Sequence, residues 1–173
     1  MTPRLRTDIV DAYVFRRVLP SGEPPRVQIQ ILQLLRAKGP MPATWQPVMG
    51  HVEAGERATD TLWREVNEEL GLGARNVLDA WALEQVHPFF IAELDAIVLS
   101  PRFAIEVTPS FEPTINDEHD DFRWIPMDRA MREALWPGQR AALRELARML
   151  DGDPSAELLR LDPPEGNPET KSG

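Results

Sequence analysis

The chain has 173 residues, a formal charge of −9 and no cysteine. That length suits one domain with a proper core. The acidic balance argues against a nucleic-acid polymer as partner, and the lack of thiols excludes disulfides, thiolate zinc sites and cysteine nucleophiles. The opening residues MTPRLRTDIV contain no apolar signal core, and no apolar run reaches membrane-span length, so a cytoplasmic protein without membrane contact is expected.

Residues 1–7 read as an N-terminal extension. Residues 9–16 (IVDAYVFR) read as a strand, followed by a Pro- and Gly-rich loop over 18–25. Val27, Ile29 and Ile31 alternate with Gln28 and Gln30, which makes 27–36 a second strand. A Pro-punctuated loop over 37–44 leads to a short strand at 45–48. Beyond a helix within 50–72, further strands are expected at 81–87, 91–99 and 102–107, the last continuing the same sheet after Pro101. A short strand at 122–125 and a helix at 127–135 follow. Residues 138–150 form an amphipathic helix with Leu143, Leu146, Ala147 and Leu150 on one face. Its Arg140, Arg144 and Arg148, with Glu145, read as a solvated face. The domain is therefore expected to span 8–150, as a mixed sheet with a helix on each side. Residues 151–173 are read as a Pro-rich acidic tail, and the stretch after Leu161, DPPEGNPETKSG, has too little apolar surface to order itself.

The chemistry concentrates in GHVEAGERATDTLWREVNEELGL, residues 50–72. At about 100° per residue, Glu65, Glu68 and Glu69 fall within an arc of roughly 100° of a helix. Leu62, Val66 and Leu70 form a separate apolar stripe with Trp63 beside them. One face can pack on a core while another presents three carboxylates. Such like-charge neighbours destabilise a bare helix by about a few tenths of a kcal/mol per pair, and a hard divalent cation with oxygen ligands relieves that repulsion. Arg64 can pair with Glu56 or steady Glu65. Gly71 suits the helix C-terminus, and Gly50 allows a close approach to a ligand.

The same residues fit G-x5-E-x7-R-E-U-x-E-E-x-G-U, with U aliphatic, and the fit has no departures: Gly50, Glu56, Arg64, Glu65, Val66, Glu68, Glu69, Gly71 and Leu72. At average residue usage a chance match in this length has a probability on the order of 10⁻⁷. The segment resembles the Nudix box, and the order of elements from about residue 8 to 150 is similar to that family. The resemblance implies an α/β fold, a Nudix-type α/β/α sandwich. It also implies Mg²⁺- or Mn²⁺-dependent hydrolysis of a nucleoside diphosphate linked to another moiety. By position, Glu65, Glu68 and Glu69 are the metal ligands it implies, with a backbone carbonyl near Met49 or Gly50 completing the shell. Glu65, Glu68 and Glu118 are the candidate catalytic carboxylates. The general base is left between Glu65 and Glu118, the latter in the acidic stretch NDEHDDFRW. Glu56 and Arg64 hold the box together.

Around the box, Arg36 is a candidate phosphate clamp, since Arg binds phosphate bidentately. His51 lies beside the phosphate loop. Trp45 is the first candidate for a base-stacking platform, ahead of Phe89, Phe90 and Trp124. WQPVMGHVEAGE, the later EH…W and WPGQRAALREL resemble bacterial dATP and dihydroneopterin-triphosphate pyrophosphohydrolases. That ranks a nucleoside-triphosphate-like substrate first. GHVEAGE and EHDDFRW are also similar to asymmetrical diadenosine-tetraphosphate hydrolases, although Phe89 and Phe90 lie where those carry a tyrosine. Dinucleoside polyphosphates therefore rank second and ADP-ribose or a nucleotide sugar third. A non-catalytic nucleotide-binding module is a remoter alternative, since such a module would be expected to have lost box carboxylates. The partner is a small nucleotide or diphosphate, and both a monomer and a homodimer are compatible with the sequence.

Overall fold

The computed structural model describes residues 2–21, 26–38 and 42–163. The strands begin with β1 (Arg4–Arg6), β2 (Ile9–Val18), β3 (Gln28–Arg36), β4 (Trp45–Gln46) and β5 (Val48–His51), and the box helix α1 (Ala58–Leu70) follows. Next come β6 (Val77–Ala82), β7 (His87–Ile91), β8 (Ala96–Ser100), β9 (Arg102–Val107) and β10 (His119–Pro126). Helices α2 (Met127–Glu133), α3 (Pro137–Leu150) and α4 (Ser155–Leu158) complete the described elements. The main sheet runs β10-β3-β2-β9-β6, with β4 beside β3 and β5 beside β2. It is mixed, because β2 and β9 are parallel while β2 is antiparallel to β3 and β5.

Strand β2 is central because both of its faces are apolar. Val10, Ala12 and Val14 pack in a core with Leu62, Val66 and Leu70 of α1. Tyr13 and Phe15 pack in a second core with Leu143, Leu146 and Met149 of α3. Continuous burial along a strand is what a sheet covered on both sides demands, and the expected α/β/α sandwich is the result.

Several expectations are corrected. Residues 91–99 are not one strand: β7 and β8 form a hairpin, split by a short 3-10 turn at Ala92–Leu94 and by Asp95 in the left-handed region at φ 45°. Strands β8 and β9 belong to different sheets, since β8 lies between β1 and β7 in a three-stranded sheet. Within the expected N-terminal extension, residues 4–6 join a sheet, because β1 pairs in parallel with β8. The strand expected at 81–87 lies earlier, at Val77–Ala82. Glu145 is not solvated: it is buried and accepts hydrogen bonds from the backbone N–H groups of Glu84 (2.6 Å) and Gln85 (3.4 Å).

The boundary expected at Leu150 also moves. Helix α4 follows it, Ala156 and Leu159 pack on the α3 core, and Leu161 packs on the α1 core. The backbone N–H of Ala82 donates to Leu159 (2.9 Å), that of Leu161 donates to Ala80 (2.8 Å), and Arg160 forks onto the Asp79 carboxylate. The expected disorder of 164–173 lies outside the described residues.

One charged side chain interrupts the apolar run of β2. Asp11 is buried beside Arg102, whose Nε stands 3.6 Å away, and it accepts from Ser100 Oγ at 3.2 Å. Burial pushes its pKa up to about 6, against the opposing pull of Arg102 and Ser100. An unfolded aspartate titrates near 4, so between these values the folded chain holds a proton that the unfolded chain has released. The contribution of Asp11 to stability is full below about pH 4 and declines by about 3 kcal/mol as pH rises through 6. Urea titrations of wild type and Asp11→Asn are expected to show their stability difference shifting against wild type by that amount between pH 4 and 7. A flat difference would remove the assignment. Truncation after Leu150 is expected to lower stability by about 3 kcal/mol through lost apolar burial and hydrogen bonds; an unchanged melting temperature would show that 151–161 adds nothing.

Candidate active site

Strand β5 carries the chain past β2, with Gly50 opposite Val10, and delivers it to the loop before α1. That loop is stapled to the helix by Glu56 and Arg64. The Glu56 carboxylate accepts from Arg64 Nε (2.8 Å) and Nη2 (3.0 Å), from Thr61 Oγ1 (2.8 Å) and from the Glu53 N–H (3.1 Å). These donors hold its pKa down at about 2, with Arg64 the largest influence. Arg64 also donates to the His51 carbonyl (2.9 Å), to Glu65 Oε1 (2.8 Å) and to Glu68 Oε2 (3.3 Å). The far end of α1 closes with Gly71 at φ 64° and its N–H on the Asn67 carbonyl at 2.8 Å.

The carboxylates differ in surroundings. Glu65 lies against the Cα of Gly50, so closely that a Cβ there would overlap its side chain. Glu69 is buried, and its Oε2 meets His119 Nε2 at 2.9 Å. Burial raises the pKa of both Glu65 and Glu69. Arg64 opposes the rise at Glu65 and His119 opposes it at Glu69, while the charge of Glu118 adds to it at both. Glu118 is exposed and its carboxylate has no hydrogen-bonding partner among the described residues, yet its field reaches the two box glutamates. Its backbone is fixed: its carbonyl accepts from the Ala37 N–H (2.8 Å) and its N–H donates to Asn116 Oδ1 (3.1 Å). Glu68 is the most exposed of the three box-helix acids.

The surrounding candidates divide. Arg36 pairs with His119 in the β3–β10 register and so shares its face of the sheet; its Nε donates to the Lys38 carbonyl (2.7 Å). His51 enters the box through its carbonyl, and its side chain is exposed. Trp45 is not brought to the carboxylates. It pairs with Leu35, the neighbour of Arg36, and so lies on the opposite face, with the Arg123 guanidinium 4.2 Å above its ring. Phe89 and Phe90 are on β7 of the smaller sheet, and Trp124 lies under Arg16 at 4.2 Å. Two shallow grooves of about 560 and 540 Å³ share Ile29, Met127 and Met131 on the α2–α3 side, so concavity alone would point away from the box.

His119 is a site residue that no local signal in the sequence marks. Its partner is fifty positions away, and no periodicity joins a strand residue to a helix at that distance.

A family model for the Nudix domain matches residues 18–146. The chain belongs to the Nudix family. It is 27% identical over 141 residues to the asymmetrical bis(5'-nucleosyl)-tetraphosphatase of Sus scrofa, covering 75% of this chain and 85% of that protein. It is 29% identical over 125 residues to an octanoyltransferase of Myxococcus xanthus; the match takes in 71% of this chain, which spans only 33% of that relative's length. Among solved structures, the fold is similar to that of a C. elegans Ap4A hydrolase binary complex, with a TM-score of 0.69 at 17% identity, covering 85% of this chain and 99% of that one.

The donor set of this Nudix domain suits a hard divalent cation: Glu65, Glu68, Glu69 and Glu118 offer oxygen ligands, and the charge of Glu118 adds to the upward pKa displacement of Glu65 and Glu69. Among the described residues no group of three or more histidine, aspartate or glutamate side chains is already placed to hold a metal ion. Arg64 and His119 occupy part of the acceptor capacity of Glu65 and Glu69. Because Glu65 fills the space over Gly50, Gly50→Ala is expected to displace that carboxylate and lower kcat by at least tenfold while circular dichroism reports an intact fold. Wild-type turnover would show that this packing does not govern the site.

Proposed function

We propose that this Nudix hydrolase cleaves a nucleoside polyphosphate with a divalent cation, Mg²⁺ or Mn²⁺, held by Glu65, Glu69 and Glu68. The observation that carries the reading is the geometry of the box: the Arg64–Glu56 staple fixes the loop, Glu65 lies against Gly50, and Glu69 is held by His119, the neighbour of Glu118. When bound, the cation neutralises phosphate oxygens and acidifies a coordinated water. The protein's own groups do the rest. Glu118 is the better general base, because its carboxylate makes no hydrogen bond among the described residues whereas Glu65 is engaged by Arg64. Arg36, on the same sheet face as His119, is the phosphate clamp.

For the substrate, the sequence ranked a nucleoside triphosphate or dihydroneopterin triphosphate first. The likeness to the Sus scrofa tetraphosphatase, over most of both chains, moves an asymmetrically cleaved dinucleoside polyphosphate ahead of it. The placement of Trp45 removes one support from either reading, since its ring is covered by Arg123. Base recognition then falls to other side chains on the box-helix face.

The test is a Mg²⁺-dependent panel of dNTPs, dihydroneopterin triphosphate, diadenosine tetraphosphate and ADP-ribose, with products resolved by chromatography. Diadenosine tetraphosphate is expected to react fastest, giving one mono- and one triphosphate. A faster dNTP would restore the first ranking. Glu69→Gln is expected to lower turnover by at least a hundredfold with the fold retained, and near-normal turnover would sink the metal assignment.

A further inference from the structure

The pair between Glu69 and His119 is the most enclosed polar contact at the site. The two side chains are 4% and 3% exposed, and His119 Nε2 stands 2.9 Å from Glu69 Oε2. An ionised carboxylate only accepts hydrogen bonds, so with Glu69 ionised the donor in this contact is His119 Nε2. His119 Nδ1 is buried without a partner, so no second bond competes for the orientation of the ring. Glu69 Oε1, by contrast, makes no hydrogen bond among the described residues. One oxygen of Glu69 is therefore held by the protein and the other is left free.

The location of His119 gives this contact a second consequence. It directly follows Glu118, and neighbouring Cα atoms are fixed about 3.8 Å apart. The outer side of that loop is tied to the loop after β3, by the Ala37 N–H on the Glu118 carbonyl (2.8 Å) and by Lys38 on Asp117 (2.7 Å). Among the described residues, the only side-chain bond linking 117–121 to the box helix is the one from His119.

We propose that His119 is a positioning residue: its single bond to Glu69 both orients that carboxylate, with Oε1 outward, and tethers the loop that presents Glu118 to the box helix. The inference rests on the metal reading of Glu69 above. A positioning imidazole behind a carboxylate ligand acts as a partner whose removal typically costs ten- to a hundredfold in metal affinity. His119 touches neither substrate nor cation in this scheme, so its effect runs through Glu69 and Glu118.

The test compares wild type, His119→Ala, His119→Gln and Glu69→Gln by Mn²⁺ titration and by backbone hydrogen exchange over 116–121, beside turnover. His119→Ala is expected to weaken Mn²⁺ binding at least tenfold, to speed exchange over 117–121, and to lower kcat with KM little changed. His119→Gln, whose amide nitrogen can reach where Nε2 stood, is expected to recover most of both losses. Should His119→Ala fail to fold, His119→Asn, whose amide falls short of Glu69, takes its place with the same expectations. Wild-type Mn²⁺ affinity in the shortened variant overturns the tether, whatever Glu69→Gln does. If Glu69→Gln also binds Mn²⁺ as wild type does, the metal assignment of Glu69 falls as well; if it loses affinity, only the tether falls.

Discussion

Arg64 joins the box loop and the box helix into one unit. A guanidinium offers five N–H donors in a planar fork, and here they are distributed over Glu56, Glu65, Glu68 and the His51 carbonyl. Each exposed ion pair alone would be worth little. Together they fix where β5 ends and how α1 begins, and they place one positive charge among acids that would otherwise repel. Glu56 sits on the other end of that fork and is satisfied by loop and helix donors alike, so it fixes the geometry of the loop against the helix.

The rigidity of this unit comes from the sheet beneath it. Helix α1 lays Leu62, Val66 and Leu70 on Val10, Val14, Leu34 and Ile105, all buried. A helix so packed cannot rotate to relieve the crowding of its acids. Gly50 then lets β5 come within contact of Glu65, and His119 reaches Glu69 from β10. Three separate elements, β5, α1 and β10, thus converge on one acidic surface. Burial displaces the Glu65 and Glu69 pKa values upward, and the neighbouring carboxylates add to that displacement.

The opposite side of the sheet has a different use. There α3 and the segment after it are structural: Glu145 holds the loop after β6, and Arg160 ties the end of the described chain to Asp79. Trp45 and Arg123 stack on that side as well.

The family, the mixed α/β architecture and the helix that bears the acids were legible in the chain, because they rest on local spacing. A 3.6-residue period separates Leu62, Val66 and Leu70 from Glu65, Glu68 and Glu69, and a two-residue period marks β3. The pairing of Arg64 with Glu56 was also within reach, since both lie in one short segment. What spacing could not convey is contact between distant segments. Only the tertiary structure decided that His119 meets Glu69, that Trp45 turns away from Arg36, that Glu145 is buried beneath a loop, and that residues 151–161 belong to the domain. The physical reason is common to all four. Each depends on which face of the sheet a strand register exposes and on what packs there, and register is set by the whole fold rather than by the residues nearby.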